Sequence, residues 1–266
     1  MNNRRIIYQV DAFTSEPFKG NPASVCILEK EVNEDWMKKI ADKLHVSKTA
    51  FIVPGKDAYK IRYFTTESEV PLCGHATLAS AHIMFETGIT PEGSGIVFHS
   101  AAGILNVSKD GGWIVLDFPA YGLVQYPVPA DIGLYLGAEP LEYHRTAHGW
   151  AFVLLAGEEE VRGLEPDFAA MKKSPYGDLI VTAPSSDPDY DFCVRCFVPA
   201  LGINEDPVTG SAHCALVPFW NKKTGKSEFV SHQVSARGGI LKVSLNGERI
   251  NIAGQAVTIF KAELNH

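Results

Sequence analysis

Two stretches of this chain repeat one order of features, and that repeat constrains the fold more than any other property of the sequence. Arg62-Tyr63-Phe64 is followed, eleven residues after the Arg, by Cys73-Gly74-His75-Ala76 and an apolar helical pattern. Arg195-Cys196-Phe197 is followed, fourteen residues after the Arg, by Thr209-Gly210-Ser211-Ala212 and another such pattern. Each begins Arg-x-Phe, carries acidic residues in the connection, and passes through a Gly into a helix start. Self-similarity of this kind reads as duplication. At 266 residues the chain holds one large domain or two of about 130 residues. The Pro-rich stretch Phe118–Pro129 is the natural boundary. The halves are then expected at 1–118 and 119–266, with the last strand able to cross back to the N-terminal half.

The local pattern is strand-rich. Ile6–Val10, Ser24–Leu28, Ala50–Val53, Ile61–Phe64, Ile114–Phe118, Ala151–Leu155, Leu179–Thr182, Phe192–Val198, Leu241–Leu245 and Val257–Phe260 are short runs rich in β-branched or aromatic residues. Helical spacing is confined to Asn33–Leu44, with Trp36, Ile40 and Leu44 on one face, to Ala76–Glu86, and to Ser211–Trp220. Pro218 is expected to kink or end the last. With no regular strand–helix alternation, the class is α+β: two pseudo-symmetric halves, each a curled, mostly antiparallel sheet around a central helix.

Composition removes several classes of function. The formal charge is −7 without a basic block, which argues against a nucleic-acid binder. No apolar run reaches the ~18 residues of a membrane span, and the basic start Met1–Arg5 lacks the apolar core of a secretory signal. Five cysteines, an odd number, point to reduced thiols and a cytoplasmic protein. Cys193 and Cys196 fall three apart in a strand pattern and so face opposite sides, a poor geometry for a redox or metal pair. His45, His82, His144, His148 and His232 have no metal-ligand spacing. No metal or cofactor is expected.

The chemistry is concentrated at the two Gly turns. Pro207 keeps Asp206 out of helical conformation, Gly210 allows close backbone approach, and Ser211 is placed to cap the helix, whose free N–H groups suit an anion. In the first half Cys73 and His75 sit at a helix start, which favours a neutral His75 and a more thiolate-like Cys73. Were both turns to serve one ligand, His75, Asp206, Ser211 and two sets of N–H groups would suit a small carboxylate with a proton to move.

Three motifs then carry a family resemblance: Val10-Asp11-Ala12-Phe13-Thr14 with Phe18-Lys19-Gly20-Asn21-Pro22-Ala23; Phe64–Thr77, containing Pro71-Leu72-Cys73-Gly74-His75-Ala76-Thr77; and Asp206-Pro207-Val208-Thr209-Gly210-Ser211-Ala212. Their order and spread resemble the phenazine-biosynthesis isomerase-like (PhzF-like) family. The resemblance implies the diaminopimelate-epimerase fold, cofactor-independent proton transfer on a small carboxylate substrate, and often a homodimer. It implies catalytic roles at His75 and Asp206, and substrate contacts from Cys73, Gly74, Thr209, Gly210 and Ser211.

One position departs from the family. Its general base is a Glu in a Ser-Glu-Thr motif before a strand, and here the motif reads Ser47-Lys48-Thr49. With Asp206 and Glu67 or Glu69 nearby, Lys48 is expected to stay an ammonium, able to hold a carboxylate or donate a proton; His75 or Asp206 must then be the base. The second thiol of two-thiol epimerases would fall near Pro207, so that chemistry is not expected. A binding protein of the same fold without turnover is the competing expectation.

Overall fold

A computed structural model of the protein describes residues 5–91 and 93–264, so the first four residues of the basic start lie outside the described residues. The chain divides into two compact units. One comprises Met1–Asp117 with Ala253–His266, the other Phe118–Ile252.

In the first unit, β1 (Arg5–Ala12) lies antiparallel between β2 (Asn21–Ile27) and the C-terminal strand Ala256–Leu264. Helix α1 (Glu34–Leu44) follows, started by the Asn33 side chain, which accepts the Trp36 N–H. Next, β3 (Thr49–Pro54) runs parallel to β2, and β4 (Tyr59–Phe64) returns antiparallel to it. The short β5 (Glu69–Val70) pairs with the end of β4 and leads into α2 (Gly74–Glu86). Then β6 (Ile96–Ser100) lies parallel to β4, and β7 (Gly103–Asp110) and β8 (Trp113–Pro119) complete an antiparallel meander. Helix α2 is the centre: residues on every side of it are buried, as for a helix wrapped by a sheet. Met37 and Ala41 of α1 pack on the outer face with Phe51, Val53 and Phe64.

The second unit repeats the plan. After β9 (Leu123–Tyr126) and the short α3 (Ile132–Leu136), β10 (Glu142–Thr146) lies antiparallel between β9 and β11 (Ala151–Leu154). Short helices α4 (Glu158–Arg162) and α5 (Phe168–Met171) stand where α1 stands in the first unit. Strand β12 (Leu179–Pro184) is parallel to β11, β13 (Phe192–Phe197) antiparallel to β12, and β14 (Glu205–Asp206) pairs with the end of β13. After α6 (His213–Thr224), β15 (Glu228–Gln233) runs parallel to β13, followed by β16 (Gly239–Asn246) and β17 (Arg249–Gly254). Each pairing matches one of the first unit, so the duplication holds at the level of register.

Two local expectations are corrected. Helix α6 does not stop at Pro218 but continues to Thr224. Proline lacks the N–H that would bond the Cys214 carbonyl four residues earlier, and the Tyr121 N–H takes that carbonyl instead, at 2.8 Å. Ser211 does not cap the helix: it lies inside a 3-10 turn, Gly210–Ala212, that precedes α6, and no side chain caps either start.

Candidate active site

The first unit assembles Lys48, Cys73, Gly74 and His75. The β2–β3 pairing fixes the approach to β3, because Ser24 N–H donates to the Lys48 carbonyl at 3.0 Å and the Ser47 hydroxyl donates to the Pro22 carbonyl at 3.0 Å. With its hydrogen so committed, Ser47 faces His75 Nε2, 3.4 Å away, as an acceptor. That leaves Nδ1 of His75 as the acceptor, 3.5 Å from Cys73 Sγ. His75 is buried, and burial first, then the charge of Lys48, pushes it down to about 3. The expected neutral imidazole is present, held by burial and by a neighbouring cation. Lys48 is half-buried, its Nζ donating to the Ser47 carbonyl at 3.2 Å. Glu69, one of the carboxylates expected to hold Lys48, is taken by Arg62 in a two-point pair whose Nε bond is 2.7 Å.

Behind the turn, the fully buried Thr77 hydroxyl donates to the Cys73 carbonyl at 2.7 Å and is met by the Tyr63 hydroxyl at 2.6 Å. The second unit has the same device in different residues. His213 Nδ1 lies 3.1 Å from the Thr209 carbonyl and 3.3 Å from that of Gly210, so Nδ1 carries the proton and Nε2 accepts from Ser231 at 2.8 Å. Burial pushes His213 down to about 4 despite these bonds.

Asp206 stands on β14 opposite Cys196, next to Glu205, which forms a two-point pair with Arg195 at 2.8 and 2.9 Å. The Thr209 hydroxyl donates to Asp206 Oδ2 at 2.7 Å. Thus Asp206, Thr209, Gly210 and Ser211 are gathered in this unit as their counterparts are in the other. Ser47, Thr77, His213 and Gln233 are the contributors that sequence reasoning missed. Ser47 and Thr77 had a signal, their places in the Ser-Lys-Thr motif and in the Phe64–Thr77 stretch, and His213 closes the Asp206 turn motif.

The remaining candidates are structural. Cys193 packs in the outer core while Cys196 turns to Thr209; both are free and buried, and burial pushes Cys193 up to about 12. His45 ends α1 in the left-handed conformation, His144 pairs with Glu142, and His232 packs on Tyr190. Among the described residues no three His, Cys, Asp or Glu side chains could hold a metal ion, and no helix is long and apolar enough to cross a membrane. An open groove of about 850 Å³ runs along β4 and the β6–β7 turn, past Tyr59, Arg62 and His99, but none of the candidate residues lines it.

Two copies of an α+β unit, each opening a buried helix on a glycine turn, define an epimerase-like fold. A hydroxyproline epimerase from Agrobacterium vitis shares that fold at a TM-score of 0.65 and 13% identity, over 98% of this chain and 92% of that one. Residues 10–262 match the family model of phenazine biosynthesis-like proteins, and the chain belongs to that family. It is 45% identical over 97% of both chains to a protein of Halalkalibacterium halodurans named as an uncharacterized isomerase. The crystal structure of a PhzF-family phenazine biosynthesis protein from Enterococcus faecalis superposes with a TM-score of 0.94 at 39% identity, covering 99% of this chain and all of that one.

Proposed function

We propose that the protein moves a proton on a small carboxylate-bearing metabolite without a cofactor. The observation that carries this reading is the buried, neutral His75 beside the Lys48 ammonium at the opening of α2. A substrate carboxylate on Lys48 offsets the charge that helps keep His75 unprotonated, so binding itself makes His75 a better proton acceptor. Asp206, aligned by Thr209, is the partner that takes or returns the carbon-bound proton. The N–H groups at Gly74, Gly210 and Ser211 receive the substrate's oxygens, and Cys73 and Thr209 border it.

The test is exchange of carbon-bound hydrogen with deuterated water across a panel of small carboxylates, including the dihydro-hydroxyanthranilate of the family's standard isomerisation. The unmodified protein is expected to leave that compound unisomerised. Lys48→Glu should introduce or raise exchange on it, and Lys48→Ala should weaken carboxylate binding. Turnover by the unmodified protein at an ordinary enzyme rate, abolished by Lys48→Ala, would make Lys48 the base and sink this assignment. A binder without turnover is the second reading, favoured by Lys48 at the base position; it requires binding with no exchange on any carboxylate. The family's habit supports a homodimer, which sedimentation equilibrium tests. The five free, buried thiols fit a reducing compartment such as the cytoplasm.

A further inference from the structure

Gln233, the last residue of β15, is fully buried and spends its carboxamide on the Asp206 turn. Its Oε1 accepts the Thr209 N–H at 2.7 Å, and its Nε2 donates to the Asp206 carbonyl at 2.7 Å and reaches the Thr209 hydroxyl at 3.4 Å. The Thr209 hydroxyl has one hydrogen, and that goes to Asp206 Oδ2 at 2.7 Å. The polarity therefore runs one way, from the Gln233 amide through the Thr209 hydroxyl to the Asp206 carboxylate. His213 holds the Thr209 carbonyl from the other side. We propose that Gln233 is a positioning residue that aims the Asp206 carboxylate and sets the Thr209-Gly210 turn for substrate. The assignment rests on the functional reading of Asp206 given above.

The internal repeat separates this role from simple turn stabilisation. By register, Asp206 on β14 corresponds to Val70 on β5, and Gln233 on β15 corresponds to Ser100 on β6. Ser100 bonds to the Gly103 carbonyl and the Ala102 N–H of its own turn and leaves the Cys73-Gly74 turn alone. The same fold thus forms its glycine turn without a glutamine where no carboxylate needs aiming. The clamp accompanies the Asp. Thr209 N–H, consumed by Gln233, is also withdrawn from the anion-binding set, which then begins at Gly210.

Gln233→Leu keeps the side chain's size and removes every bond, while Gln233→Glu mimics the amide only when protonated. Amide hydrogen exchange across residues 206–211 reads the clamp directly, and calorimetric binding of anthranilate, an aromatic carboxylate that cannot isomerise, reads its effect on the site. Gln233→Leu should lose about tenfold in protection at Thr209 and about tenfold in anthranilate affinity, a thermal midpoint above the assay temperature showing that the fold persists. Gln233→Glu should match the parent near pH 5, where the introduced carboxyl can donate to the Asp206 carbonyl, and fall to the Leu level near pH 8. A merely structural residue would not produce that added pH dependence. Unchanged Thr209 protection in Gln233→Leu, or a Gln233→Glu profile identical to the parent's, would overturn the proposal. A turn loosened by Gln233→Leu, together with a parent that binds no carboxylate, would uphold the clamp and refute the functional reading.

Discussion

His75 and His213 are two imidazoles that the fold keeps neutral, and both have consequences that can be measured. Burial depresses them to about 3 and about 4 from an ordinary 6.5. Neither should titrate between pH 5 and 8 in an NMR experiment on the C2 protons. Below about 6.5 the unfolded chain takes up protons that the folded chain refuses until about 3 to 4. Stability contributed by these residues is therefore full above pH 6.5 and declines as the pH falls, by up to about 1.4 kcal/mol per pH unit for each histidine. Urea midpoints between pH 4.5 and 7.5 should follow that slope, and a flat profile would contradict the burial of these rings. In Lys48→Ala, His75 should titrate at a higher pH than in the parent but still below 6.5, since burial is the larger of its two causes.

At the scale of elements, the two Arg-x-Phe motifs are ion-pair anchors rather than catalytic groups. Each guanidinium lies over the Phe two residues on and holds the Glu of the short strand that precedes the glycine turn. Arg195 also donates to the carbonyls of Val161 and Leu164, tying α4 to β13. Arg195→Ala strands those acceptors and a largely buried Glu205. A cost of about 3 kcal/mol or more is expected, against a smaller one for Arg62→Ala, whose second partner Glu34 is half exposed. Denaturant titrations of the two variants decide the order. Gly254 is a second element-scale constraint: a Cβ there would meet the ring of Phe13 and come within 2.7 Å of Leu78 on α2. Gly254→Ala should cost about 1–3 kcal/mol by overpacking, read as a lowered thermal midpoint.

For the whole molecule, the first unit is completed by the end of the chain. The strand Ala256–Leu264 pairs with β1 along its entire length, with one register shift between Gln9 and Val10. In the second unit β9 fills the equivalent place beside β10 from the adjacent sequence. A chain ending at Gly254 should therefore lose amide protection in β1 and β2 while β12 and β13 stay protected. Equal loss in both sets would show that the units fold as one cooperative body.

The sequence alone determined the duplicated plan, the glycine turns and the helices behind them, because these rest on local rules: Arg-x-Phe spacing, Gly at a helix start, alternating apolar residues. It fell short at strands such as β9 and β15, whose polar residues hide the alternation and, for β15, whose parallel partner β13 lies far back along the chain. That α6 would run on past Pro218 was hidden for a related reason. The carbonyl it frees is satisfied by Tyr121, from a segment that no local pattern connects to α6. At the site, His75 and Asp206 were legible as residue types in motifs. Tertiary structure decided their state: burial and Lys48 make His75 neutral, Arg62 removes Glu69 from contention, and Gln233, twenty-seven residues from Asp206, sets the turn beside it. Those effects depend on desolvation and on which strands lie side by side. Both come into being only when the sheet curls around its helix.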